Sequence, residues 1–274
     1  MDKYCPVVIP YYGGKFTMSI ELIKYLPPHV RYFEPFFGGG SMYFRKHKAD
    51  WNILSDVDND LINLYMCVIH KFDEFTNMIY WTPRSRHLHN IYRDDIKATQ
   101  EIDIPDPERA YKYYYIVRNA FNTKPMNTFS KDTAWHTRMV EELKYSREKL
   151  NGAVIENLDF EELVDRYEVR EGDLYYLDPP YVVAGGKDYY RNYFDEKTHL
   201  RLRNTVNSID GNGGKFMISY DDNKEIREMY NRYNIIEITT KYAGRNSHVE
   251  DTNKEFTELV IMNYEITTNQ TNLF

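Results

Sequence analysis

Short apolar runs bounded by turn residues alternate with longer segments of helical period at both ends of the chain. RYFEP (31–35) reads as a strand that stops at Pro35 and enters the glycine loop FFGGGS, after which the Ser41 hydroxyl is placed to cap a helix. WNILSD (51–56) reads as a second strand closed by an acid, followed by the helical pattern NDLINLYMCVIHKF. Strand-like text returns at AVIEN (153–157), DLYYLD (173–178), KFMISY (215–220), IIEITT (235–240) and ELVIMNY (258–264), with GNGG (211–214) as a turn before one of them. From about residue 70 to 149 the pattern is different: long, charged, Tyr-rich and helix-periodic, with a loop-like NTKPMNTFSKD (122–132). Within it YKYYYIV (111–117) is expected to be helix core and flank. Strands alternating with helices predict an α/β fold whose sheet is mainly parallel, covered on both faces, with an antiparallel edge strand. The expected division sets 1–69 with 150–274, the sheet domain, against 70–149, an inserted and mostly helical lobe.

Composition narrows the classes. With 26 Tyr and 14 Phe the chain is far too aromatic for a solvated coil. No stretch approaches the roughly 20 apolar residues of a membrane span. The N-terminal MDKYCPVVIPYYGGK has neither a long apolar segment nor a small-residue cleavage site, so no secretory signal is expected. Cys5 and Cys67 are too few for a disulfide framework or a four-cysteine zinc site, and the scattered histidines complete no metal site. Both thiols are expected to be reduced, in a cytoplasm-like compartment. The net charge of −7 argues mildly against a polyanionic partner, but it is unevenly spread. Residues 109–149 hold nine Lys or Arg against four acids, and PRSRHLHNIYR (83–93) just upstream adds Arg84, Arg86 and Arg93 with no acid.

Three segments can carry chemistry. EPFFGGGS (34–41) puts glycines after the first strand, where a cofactor can approach the backbone closely. It departs from the dinucleotide pattern G-x-G-x-x-G because position 43 is Tyr, which weakens a nicotinamide or flavin reading. Asp56 closes the next strand 18 residues after Gly38, where a carboxylate can accept both ribose hydroxyls of an adenosine-containing cofactor; Asp58 and Asp60 compete for that role or for a helix cap. Asp178-Pro179-Pro180-Tyr181 follows the apolar strand LYYL directly. The two prolines end the strand and stiffen the exit, presenting a carboxylate, a proline carbonyl and an aromatic face. Such a set suits an exocyclic amine on a flat base: the two amino hydrogens go to Asp178 and the Pro179 carbonyl, and the Tyr181 ring stacks on the heterocycle.

These motifs, in this order, resemble the amino-methyltransferases that act on adenine N6 in DNA, specifically the Dam-type or D12 class. The resemblance covers PYYGGK (10–15), EPFFGGGS (34–41), SDVDNDLINLY (55–65), NLDF (157–160), LDPPY (177–181), KFMISYDD (215–222) and ELVIMNY (258–264). It implies a Rossmann-like methyltransferase sheet and S-adenosyl-L-methionine as the methyl donor. By carry-over, Tyr11 and Lys15 flank the donor near its methionine end, and Glu34, Phe36, Gly38 and Gly40 line it. Asp56 takes the ribose hydroxyls, Asp159 with Phe160 contacts the cofactor adenine, and Asp178 also lies against the donor. The family commonly has Asn two places after the ribose Asp; Asp58 stands here, which leaves 56 against 58 open. The resemblance also implies double-stranded DNA as partner, a prokaryotic or phage-infected cytoplasm, and a restriction endonuclease as a possible cognate.

The target base must leave the duplex stack before its amine can meet a bound donor, at a cost of a few kcal/mol, against which Tyr181 stacking returns about 1–3. RNAFNTKPMNTFSK (118–131) is the expected DNA-reading loop or hairpin, through Arg118, Asn119, Asn122, Lys124, Asn127 and Lys131. Of the G-x-FN-x-P-x-G-like hairpin of GATC readers only Phe121-Asn122 survives, so GATC is not assigned. DYYRNYF (188–194) is expected either to close over the flipped base or to pack. The alternatives are an amino-methyltransferase for RNA adenine or protein glutamine, whose sites more often carry Asn before Pro-Pro, and a non-catalytic nucleic-acid-binding subunit on the same fold.

Overall fold

The computed structural model describes residues 5–11, 13–99, 102–136, 138–180, 194–241 and 255–266. In chain order the elements are α1 (Ser19–Leu22), β1 (Arg31–Glu34), α2 (Ser41–Arg45), β2 (Trp51–Ser55), α3 (Asn59–His70), α4 (Phe72–Trp81), α5 (Arg86–Ala98), α6 (Pro107–Asn119), α7 (Arg138–Leu150), β3 (Val154–Glu156), α8 (Phe160–Tyr167), β4 (Asp173–Leu177), α9 (Glu196–Gly211), β5 (Lys215–Asp221), α10 (Lys224–Met229), β6 (Asn234–Lys241) and β7 (Glu255–Met262). The strands form a seven-stranded sheet in the order β3-β2-β1-β4-β5-β7-β6. β2 and β3 pair in parallel, as do β1 with β4 and β4 with β5, whereas β7 pairs antiparallel with both β5 and β6. The antiparallel pairings therefore sit at the expected edge, and the reversed strand is β7, one place in. The fold is α/β, as the alternation of strand and helix predicts.

The chain packs as two compact units. One comprises Met1–Ile23 with Phe37–Leu158, the other Lys24–Phe36 with Asp159–Phe274. These packing units cut the chain elsewhere than the expected division between 70–149 and the rest. In the first unit, α6 begins with Pro107 behind the Asp106 cap, whose carboxylate accepts the Arg109 N–H at 3.0 Å. Its Tyr113, Tyr114 and Tyr115 are buried, so YKYYYIV is core as expected. In the second unit, every residue of β4 is buried, as a strand with parallel neighbours on both sides requires. The Tyr175 ring stacks on Phe33 of β1 with centroids 4.4 Å apart.

One local expectation is corrected. Ser41 does not cap α2: the N-cap is Gly40, in the left-handed region at φ 67°, with no side-chain cap bond. A Cβ at Gly40 would lie 2.6 Å from the Phe37 ring, so the turn is closed by a residue without one rather than by a hydroxyl.

At the other end of the sheet Arg31 clamps the start of β4. Its Nε lies 2.6 Å from Asp173 Oδ1, its Nη2 2.6 Å from Oδ2, and it donates to the Tyr167 and Glu168 carbonyls. Asp173 is 1% exposed and also accepts the Arg170 N–H. This leaves the carboxyl ends of β1 and β4, where the strand order turns back, as the open edge at which α/β sheets bind ligands.

Candidate active site

In the first unit the site residues gather around the peptide of Gly38. Its N–H donates to Asp56 Oδ2 at 2.8 Å, and its carbonyl accepts the Tyr65 hydroxyl at 2.8 Å. Gly38 is left-handed at φ +46°, and a Cβ there would meet the Tyr11 ring at 3.1 Å. The glycine loop is thus held against Tyr11 on one side and the end of β2 on the other. Lys15, on the same N-terminal segment, is 7% exposed, and its carbonyl accepts the Ser19 N–H.

Asp56 and Asp58 are told apart by their partners. Asp58 caps α3, accepting the Asp60 and Leu61 N–H groups on Oδ1, and its Oδ2 accepts the Tyr113 hydroxyl at 3.3 Å. Asp56 accepts the Asp58 N–H on Oδ1 at 3.0 Å and the Gly38 N–H on Oδ2. The Val57 N–H also bears on this carboxylate, which offers about four lone pairs and so keeps acceptor capacity. Burial, reinforced by the Asp58 charge, pushes the Asp56 carboxyl from the ordinary 3.8 up to about 6; the N–H groups of Asp58 and Gly38 pull the other way.

In the second unit β1 ends in Glu34, 2% exposed, whose Oε2 accepts the Tyr32 hydroxyl at 2.8 Å. Phe36 follows and stacks on Phe160 (centroids 5.5 Å, 29°), and Phe194 joins them edge-on to Phe36 at 5.9 Å. Asp159 opens α8 with a capping box. Its Oδ1 accepts the Glu161 N–H and an Arg201 N–H, and the Arg201 guanidinium lies 5.0 Å from the Phe160 centroid. β4 delivers Asp178, Pro179 and Pro180 at its carboxyl end, and the Ser219 hydroxyl of β5 donates to Asp178 Oδ1 at 2.9 Å. The Tyr176 hydroxyl lies 3.1 Å from Ser219 Oγ. Beside Ser219, Tyr220 meets buried His199 through a 2.8 Å contact to Nδ1, and burial lowers that imidazole to about 4, so it is neutral. Tyr181 and residues 188–193 lie outside the described residues.

The basic segment forms a hairpin-like loop after α6. Ala120 bridges Phe129, the Phe121 N–H donates to the Thr128 carbonyl and the Ser130 N–H to the Asn119 carbonyl. Asn122 and Thr123 sit in the left-handed region at φ 55°, and Phe121 beside them is 46% exposed. Asn127 donates to the Phe121 carbonyl, Lys124 is half-buried, and Lys131 is exposed. Arg118 lies along Tyr114 with Glu142 at 3.9 Å. Asn119 is corrected: it is fully buried, donates to the Tyr115 carbonyl and accepts from Arg84 Nε, so both ends of its amide are committed to the fold rather than to a groove. Arg84 is the clamp of this loop. It donates to the Ser130 and Lys131 carbonyls and to Thr133 Oγ1, and covers the Phe129 ring at 4.5 Å.

The glycine loop, Asp56 and Asp178 all fall inside the stretch matched by a family model. The model for D12 class N6 adenine-specific DNA methyltransferases matches residues 11–243. The chain belongs to that family. It is 26% identical to the type II methyltransferase M1.LlaDCHI of Lactococcus lactis subsp. cremoris, over 92% of this chain and 93% of that one. It is 24% identical to the DNA adenine methylase of Escherichia coli K12, over 80% and 82%. Against the DNA N-6-adenine-methyltransferase of Escherichia phage P1 it is 23% identical over 81% of this chain and 31% of that longer protein.

As a D12 enzyme the protein transfers a methyl group to adenine N6 in DNA and uses a methyl donor. The RNA, glutamine and non-catalytic readings give way to this one. Among the described residues no helix is long and apolar enough to cross a membrane. Sequence reasoning passed over Ser219, Tyr176 and Arg84 as site or support residues. The only signal for Ser219 was a small polar residue inside the apolar strand KFMISY.

Proposed function

We propose that the donor is S-adenosyl-L-methionine and that the acceptor is an adenine swung out of duplex DNA. The observation that carries this reading is the placement of Asp178 at the carboxyl end of β4, beside the strand-order reversal, with its carboxylate hydrogen-bonded from β5. The residues present fit the donor. Asp56 keeps acceptor capacity for two ribose hydroxyls, and the glycine loop brings backbone where a side chain would stand. Tyr11, Lys15, Glu34, Phe36, Gly38 and Gly40 would line it, and Asp159 with Phe160 would meet its adenine. When bound, the sulfonium supplies an electrophilic methyl carbon.

The chain's own work is to prepare the amine. An exocyclic N6 is a weak nucleophile because its lone pair is delocalised into the ring. Asp178 accepts one amino hydrogen and the Pro179 carbonyl the other, which favours a pyramidal nitrogen and frees that lone pair. Pro180 keeps the exit rigid, so the acceptors are positioned before the base arrives. Tyr181 is assigned to stack on the base.

In this reading 1–69 with 150–274 is the catalytic domain and 70–149 recognises DNA, through Arg118, Asn122, Lys124, Asn127 and Lys131. The type II name of the Lactococcus lactis relative favours a cognate restriction endonuclease, and the free thiols Cys5 and Cys67 favour the cytoplasm of a prokaryotic or phage-infected cell. The test is Asp178→Ala in a tritiated-methyl assay. Transfer to DNA is expected to vanish while donor binding is partly retained, and wild-type turnover would remove Asp178 from the chemistry. Modification-sensitive sequencing of DNA from expressing cells reads the target site.

A further inference from the structure

We propose that Ser219 and Tyr176 form a hydroxyl relay that sets the rotation of the Asp178 carboxylate, making both of them positioning residues for methyl transfer. The inference rests on the assignment of Asp178 to the target amine.

The register brings the three groups together. β4 and β5 pair with Tyr176 opposite Met217 and Leu177 opposite Ile218, so the next step along both strands sets Ser219 beside Asp178. Ser219 is fully buried and Tyr176 is 1% exposed, so both hydroxyls lie within the packed sheet. A serine hydroxyl has one proton to give. Ser219 gives it to Asp178 Oδ1 at 2.9 Å, so at the 3.1 Å contact Tyr176 must be the donor and Ser219 Oγ the acceptor. Burial first, and the Asp178 charge second, hold the Tyr176 phenol well above its usual range, so it keeps the proton this direction needs. The chain of donation runs Tyr176 to Ser219 to Asp178, and each bond polarises the next.

The consequence is directional. An aspartate turns freely about its last torsion unless something holds one oxygen. With Oδ1 tethered to β5, the lone pairs of both oxygens point in fixed directions from the end of β4. An acceptor that must bend an amine out of its ring plane gains from that fixity, because misaligned acceptors bind the flat ground state as well as the pyramidal one. The tether acts on the chemical step and not on donor affinity.

The experiment uses the full-length enzyme, a duplex substrate and both single-turnover and steady-state methyl transfer, with donor affinity and thermal stability measured alongside. Ser219→Ala is expected to lower kcat about ten- to a hundredfold with donor Kd unchanged. Tyr176→Phe, which keeps the ring, is expected to lower it about threefold. Ser219→Thr, which restores a hydroxyl on a strand that tolerates β-branching, is expected to recover most of the loss. In an Asp178→Asn background, Ser219→Ala is expected to add less than its full effect, because both act through one group. If kcat per folded molecule stays at the wild-type value in Ser219→Ala and Tyr176→Phe while Asp178→Ala is dead, the relay is overturned and the Asp178 assignment stands. Should Asp178→Ala itself turn over normally, that assignment fails and the relay falls with it. Should Ser219→Ala not fold, Tyr176→Phe and Ser219→Thr carry the same decision.

Discussion

Lowering the pH should release the methyl donor through Asp56. The group is part-buried at the end of β2, with one N–H on each oxygen and a folded-state pKa raised from 3.8 to about 6. Ribose hydroxyls donate, so they need the ionised form. For one such group the apparent Kd scales with 1 + 10^(pKa − pH), which predicts affinity nearly flat from pH 8 to 7 and about elevenfold weaker at pH 5. Below about pH 6 binding must also expel the proton, about 0.9 per donor at pH 5.

The same shift acts on the unliganded fold with a definite sign. Because the folded pKa is raised, the native chain holds this proton more tightly than the unfolded one between about pH 4 and 6. The Asp56 contribution to stability is therefore most favourable below about 4 and declines as pH rises through 6. At neutral pH the charge costs on the order of 3 kcal/mol, a cost the donor's hydroxyls offset on binding. Isothermal titration with S-adenosyl-L-methionine from pH 8 to 5, in two buffers of different ionisation enthalpy, reads both affinity and proton release. Asp56→Ala is the control: it should bind weakly, and with no slope around pH 6. A wild-type affinity that stays flat down to pH 5, or a slope that survives in the variant, would refute the assignment.

Arg31→Ala leaves Asp173 buried with its charge unpaired, and should destabilise the protein by about 3–5 kcal/mol in urea unfolding with the m-value unchanged. Arg84→Ala removes the clamp on residues 119–133 and should raise DNA Kd and speed proteolysis within that loop, while costing the fold only about 1–2 kcal/mol. Lys131→Glu, on an exposed position of the same segment, should weaken DNA binding at every sequence and lower the salt slope by about one, read by anisotropy from 50 to 200 mM salt.

What was legible in the sequence is what depends on neighbours along the chain. β4 shows as LYYL because a strand between parallel partners is apolar on both faces, and it ends where Pro179 has no N–H to continue. The glycine loop and Asp56 show for the same local reason. That Asp58 is the one that caps α3 shows only in the structure, where it takes the Asp60 and Leu61 N–H groups and a hydroxyl from Tyr113, 55 positions downstream. Asn119 misled because a polar residue in basic text reads as surface; only the return of Arg84, 35 positions upstream, shows its amide to be interior. Ser219 has no role legible along the chain, because only strand pairing sets it beside Asp178.

The two strand-ending carboxylates are held by different kinds of group, with a physical consequence. Asp56 is anchored by the backbone N–H groups of Gly38 and Asp58, which no substitution other than proline deletes. Asp178 Oδ1 accepts the hydroxyl of Ser219, a bond that one substitution removes. The proposed ribose subsite is therefore robust in its geometry as long as the glycine loop keeps its left-handed turns. The proposed amine subsite is adjustable from β5 without touching Asp178, the residue assigned to the base. Variation in turnover at constant donor affinity should accordingly map to positions such as 176 and 219, while variation in donor affinity should map to the Gly38–Asp56 contact and to Tyr11 behind it.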